Sequence, residues 1–114
     1  MKKFTKVAAQ GELTIIRLGP LPKKPDLKGY KPMPADNDRF IVGHSETGHH
    51  HVIEKARNEV YVADTAPEGM RILKALINDT TSLDHLREHD THEALLLEPG
   101  EYEIRIAREF NPYT

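Results

Sequence analysis

A chain of 114 residues with a formal net charge of −2 has room for one hydrophobic core and not for two. The near-zero charge removes any global polyanion-binding signature. The absence of cysteine removes a disulfide framework, a thiolate nucleophile and every Cys-based zinc site, so any metal must be held by nitrogen and oxygen ligands.

Charge is nevertheless uneven along the chain. Residues Met1–Pro32 carry eight Lys/Arg against two Asp/Glu, whereas Met33–Thr114 carry eight against sixteen. A basic arm on an acidic body docks onto that body, onto a partner or onto a phosphate backbone. The arm lacks aromatic interleaving and Arg-rich clustering, which favours intramolecular or protein docking over nucleic acid.

The N-terminal stretch MKKFTKVAAQGELTIIRL starts basic, but Gln10, Gly11 and Glu12 break its apolar run, so it makes a poor secretory signal. No other stretch approaches transmembrane length, and a soluble cytoplasmic protein is the expectation. Residues 12–18 (ELTIIRL) are β-branched and apolar and stop at Gly19-Pro20. Residues 19–38 then hold five of the eight prolines. Proline removes backbone donors and fixes φ, so an extended arm with no regular element is expected, packed across the domain.

Regular structure is predicted to resume at Arg39–Val42. After the Ser-Glu-Thr-Gly break, HHHVIEKA reads as a strand, Arg57-Asn58 as a hairpin turn and EVYVAD as the return strand, with Val60 and Val62 at period two. MRILKALIND fits a short helix or a buried strand, with strand favoured. TTSLDHLREHD could form one helical turn, since Thr81 with Asp84 three residues on resembles a capping box. Leu95 and Leu97 lead to Pro99-Gly100, after which Tyr102, Ile104 and Ile106 alternate with charged residues, the pattern of a hairpin with one wet face. Seven or eight short strands of this kind predict an all-β, mainly antiparallel fold, a small barrel or sandwich. A single domain spans 1–114, with the arm at 19–38 and a histidine-bearing β core at 39–110.

All seven histidines fall into two clusters. His44, His49, His50 and His51 lie in Gly43–Glu54, and His85, His89 and His92 lie in Leu83–His92. Imidazole is the commonest metal ligand among side chains and titrates near neutrality. On a strand, i and i+2 share a face, so His49 and His51 would present two imidazoles to one ion, with His50, Val52 and Glu54 turned away. His85, His89 and His92, at i, i+4 and i+7, would share one helical stripe; a turn entering a strand would still keep His89 and His92 close. The ligand candidates are therefore His49, His51, His89 and His92, with His44, Glu46, Glu54 and His85 in support and Glu88 and Asp90 nearby. Zinc, iron, manganese and nickel all accept such a set. A solvated polar strand without metal, and a metal-free His/Glu acid–base site, are the competing readings.

Two resemblances follow from these residues. TGHHH at Thr47–His51, HDTH at His89–His92, then Leu95, Leu97, Gly100, Tyr102 and the closing REF at Arg108–Phe110 resemble a set of small uncharacterised phage, prophage and bacterial proteins. That resemblance implies His49, His51, His89 and His92 as the shared core and a mobile-element setting, in host cytoplasm or virion. Gly43, His49, His51 and Glu54 are similar to the first motif of the cupin superfamily, with the Glu one residue closer than usual and the second motif absent in order. This implies a cupin-like fold. Two functions result. One is a metal-binding β protein, a metal-dependent hydrolase or small-ligand enzyme. The other is a non-enzymatic phage or prophage accessory protein, a virion component or an inhibitor of a host system, acting by binding; a small molecule or a protein is the expected partner, with an oligomer left open.

Overall fold

The computed structural model describes residues 3–43, 50–85 and 94–107, and among these every regular element is a strand. The strands are β1 (Val7–Gln10), β2 (Leu13–Gly19), β3 (Tyr30–Pro32), β4 (Arg39–Gly43), β5 (His51–Glu54), β6 (Glu59–Ala63), β7 (Met70–Ile77), β8 (Thr81–His85), β9 (Leu95–Leu97) and β10 (Gly100–Ala107). They form a six-stranded sheet, β1-β2-β10-β7-β6-β3, and a four-stranded sheet, β4-β5-β8-β9. Every strand pair is antiparallel. The all-β expectation holds, as two open sheets and not a closed barrel.

The core sits between the sheets, and period-two burial assigns its members. From the larger sheet come Leu13 and Ile15, Leu73, Ala75 and Ile77, and Tyr102, Ile104 and Ile106. From the smaller come Phe40 and Val42, Ile53, Leu83, and Leu95 and Leu97. β10 is central because it pairs with β2 on one side and β7 on the other, and its Glu103 and Arg105 face away from the core. The 70–78 segment is the strand favoured from its composition.

Three local expectations are corrected. HHHVIEKA and EVYVAD do not form a hairpin, because β5 and β6 belong to different sheets. The turn between them is a sheet-to-sheet corner held by Asn58, which is 3% exposed. Its Nδ2 donates to Glu54 O at 3.2 Å, and its Oδ1 accepts from the Asn78 and Asp79 amides at 2.8 and 2.9 Å. One buried side chain thus ties the β5–β6 corner to the β7–β8 corner. Likewise β9 and β10 are not a hairpin but another corner: Tyr102 Oη donates to Glu98 O at 2.7 Å and Arg17 Nη2 to Pro99 O at 3.0 Å. Burial pushes the Tyr102 hydroxyl above the ordinary tyrosine range. Third, Thr81–His85 is strand, not a helical turn, because ladder partners on both sides and the burial of Leu83 outweigh a capping-box pattern.

The proline-rich arm contains more order than an extended loop. β3 pairs with β6 as the outer strand of the larger sheet, and Met33 N donates to Val60 O at 2.8 Å. Lys74 reaches out to the arm, its Nζ 3.0 Å from Asp26 O and 4.7 Å from the centre of the Tyr30 ring. Asn37 and Asp38, both at positive φ, make a two-residue turn between the bridged residues Asp36 and Arg39 and deliver the chain into β4. No helix among the described residues is long and apolar enough to cross a membrane.

Candidate functional site

The true hairpins of the smaller sheet are β4/β5 and β8/β9. Their connections are the two histidine-rich stretches of the sequence. In the ladder Gly43 pairs with His51, and His51 pairs with His85. Both connections therefore leave from one end of the sheet, on adjacent hairpins. His44, Glu46, His49, His89 and His92 lie outside the described residues. Among those described, no group of three or more His, Cys, Asp and Glu side chains is gathered closely enough to hold a metal ion.

His51 is 0% exposed and faces the inter-sheet core from the first position of β5. A β-bulge in β4 between Ile41 and Gly43 sets Gly43 opposite it. Two glycines make room for the ring. A Cβ on Gly43 would stand 3.0 Å from His51 Cδ2, and one on Gly11 would stand 3.3 Å from Cε1. Gly11 also takes φ +59° in the β1–β2 turn, a conformation glycine adopts without strain.

Three residues that position this ring carry no histidine signal. Gln10, buried at the end of β1, donates from Nε2 to Leu83 O at 3.0 Å, so its Oε1 is the acceptor for His51 Nδ1 at 2.8 Å. In the neutral ring Nδ1 then carries the proton, and the lone pair lies on Nε2. Glu12 brings Oε1 to 3.5 Å from that Nε2, with its side chain 35% exposed. The sequence signal was the polar Gln-Gly-Glu interruption of an apolar run, which reads as a turn but gives no hint of a partner forty residues away.

Of the other candidates, His50 is half-buried immediately before β5. His85 ends β8 in register with His51. Glu54 lies at the opposite end of β5, exposed, roughly 10 Å along the strand, and is not brought to His51. Among the described residues, the carboxylate beside His51 is Glu12.

A cavity of about 530 Å³ lies elsewhere, lined by Lys3, Phe4, Thr5, Arg17, Glu98 and Tyr102 among others. It opens at the β9–β10 corner, near the end of β2 opposite Leu13. Its most convergent polar groups, Arg17 and Tyr102, are engaged in holding that corner.

No curated protein and no solved structure matches this chain. A family model described as a domain of unknown function, DUF8820, matches residues 9–107, from within β1 to the end of β10. With most of its length and nine complete strands inside that match, the chain belongs to the DUF8820 family.

Proposed function

We propose that this chain is a metal-binding β protein with its centre at the histidine-bearing end of the four-stranded sheet. The cofactor is a divalent transition metal, zinc, iron, manganese or nickel. His51 is the ligand from the sheet and His49, His89 and His92 come from the two connections, with His44, Glu46 and His85 in support. Glu54, at the far end of β5, is left out of this set. The observation that carries the reading is the Gly43–His51–His85 register, which starts both histidine-rich connections from one sheet end. An ion with an open coordination position activates water or binds an oxygen-rich ligand, so a metal-dependent hydrolase or small-ligand enzyme follows, with a cupin-like use of a His-x-His pair. The resemblance to small phage and prophage proteins supports a mobile-element setting, with host cytoplasm or virion as the compartment.

The test is metal analysis of protein purified without a His-tag or nickel column. About one equivalent of metal, present or taken up on addition, is expected. Less than about a tenth of an equivalent, with no uptake of added zinc, iron(II), manganese or nickel, would overturn the reading.

One observation favours a second reading, a non-enzymatic accessory protein acting by binding. Lys31 on the outer strand β3, and Lys23, Lys24 and Lys28 in the segment leading to it, are all exposed. They offer a basic edge to an acidic protein partner. Reversing three of these charges would abolish partner capture and leave metal uptake intact if this reading holds.

A further inference from the structure

The separation between His51 Nε2 and Glu12 Oε1 can be set against the ways in which two such atoms meet. A direct N–H···O hydrogen bond to a carboxylate brings them to about 2.7–2.9 Å. A water bridging them would hold them about 4.5 Å or more apart, two hydrogen bonds meeting at a tetrahedral angle. Two ligands of one tetrahedral ion, with metal–nitrogen and metal–oxygen bonds near 2.1 Å, stand about 3.4 Å apart. The observed 3.5 Å matches the last and also an ion pair to a protonated ring; with Nδ1 donating to Gln10, the neutral ring presents a lone pair to Glu12.

The surroundings agree. Gln10 directs the Nε2 lone pair toward Glu12 by accepting from Nδ1, the role a hydrogen-bonded carbonyl plays behind a metal-bound imidazole. The amide of Gln10 is itself oriented by Leu83 O, so the ring cannot rotate without breaking a chain of two hydrogen bonds that spans both sheets. A Cβ on Gly11 would stand 3.3 Å from Cε1 and 3.5 Å from Nε2, and one on Gly43 3.0 Å from Cδ2, so neither glycine crowds the ring as a larger residue would. Glu12 is partly exposed in the β1–β2 turn, so the carboxylate reaches solvent while the ring it faces is buried.

We infer that Glu12 is a direct metal ligand beside His51, the two forming a preset half-site for a tetrahedral divalent ion, with Gln10 as the positioning residue behind it. This rests on the metal-binding reading above and adds to it a carboxylate from the other sheet. Metal binding would then bridge the two sheets at the β1–β2 turn and stabilise the folded state through mass action.

The test compares wild type with Glu12→Gln, probed with zinc and cobalt(II) alone, by competition titration, visible absorption of bound cobalt and thermal melting with and without ion. Glu12→Gln keeps the size and polarity of the side chain but removes the anionic ligand. Expected are at least a tenfold loss of affinity on the order of other ligand-shell losses, an altered cobalt spectrum and a smaller ion-induced rise in Tm, with the ion-free Tm unchanged. Equal affinity and an identical cobalt spectrum in the two proteins would overturn the role of Glu12 and leave the metal reading standing. A lower ion-free Tm with unchanged affinity would also overturn it, marking a charge pair only. Failure of the wild type to bind either ion would overturn this half-site, whereas the metal reading would fall only if iron(II), manganese and nickel were refused as well.

Discussion

Asn58 offers the sharpest check on how the sheets are joined, because one side chain holds three backbone groups from two corners. Asn58→Ala strips the acceptor from the Asn78 and Asp79 amides and the donor from Glu54 O. A buried polar group left unsatisfied costs about 1–3 kcal/mol. Asn78 is exposed and Asp79 half-buried, so water recovers part of that loss and the low end applies to each amide. The 3.2 Å bond to Glu54 O is the longest of the three and adds less. The sum is about 2–3 kcal/mol, which for a domain of this length lowers Tm by roughly 10 °C. Urea denaturation read by far-ultraviolet circular dichroism measures it, with the midpoint shifting and the slope constant. An Asn58→Ala loss below about 1 kcal/mol would refute the corner as the source of the stability.

Two further outcomes follow from the same geometry. Gly43→Ala gains about 0.5–1 kcal/mol of strand propensity but pushes a methyl against the His51 ring and Leu13 at 3.0 and 3.2 Å, an overpacking cost of about 1–3 kcal/mol. A net destabilisation is expected in urea melts, and a variant more stable than wild type would mean the ring has room to move. The Arg57 hydrogen bond and charge hold the Asp79 carboxyl below its ordinary value of 3.8. A lowered folded pKa means the pair stabilises at neutral pH and loses its contribution as pH falls below 3.8 through the depressed value. The stability gap between wild type and Asp79→Asn should therefore be open at neutral pH, narrow with added salt and close in acid. A gap insensitive to both would contradict the assignment.

The sequence by itself determined the class and much of the strand inventory, because period-two burial is a local property that Leu13/Ile15, Leu73/Ala75 and Ile104/Ile106 display whatever they pair with. It also determined where the histidines cluster and, by lacking cysteine, what kinds of atom are available as ligands. It did not determine partnership. Arg57-Asn58 and Pro99-Gly100 are turn signals, and a turn that closes a hairpin and one that carries the chain to the opposite sheet have the same local chemistry. Only the tertiary structure decided between them, through contacts such as Asn58 with Asn78 and Arg17 with Pro99 that join residues far apart in the chain. The same limit hid Gln10, Gly11 and Glu12. Their relation to His51 spans some forty residues and both sheets, and it exists because the β1–β2 turn lies over the end of β5. Ladder register then did what spacing could not: by pairing Gly43, His51 and His85 across three strands, it brought the roots of two histidine clusters, more than thirty residues apart in the chain, to one end of one sheet.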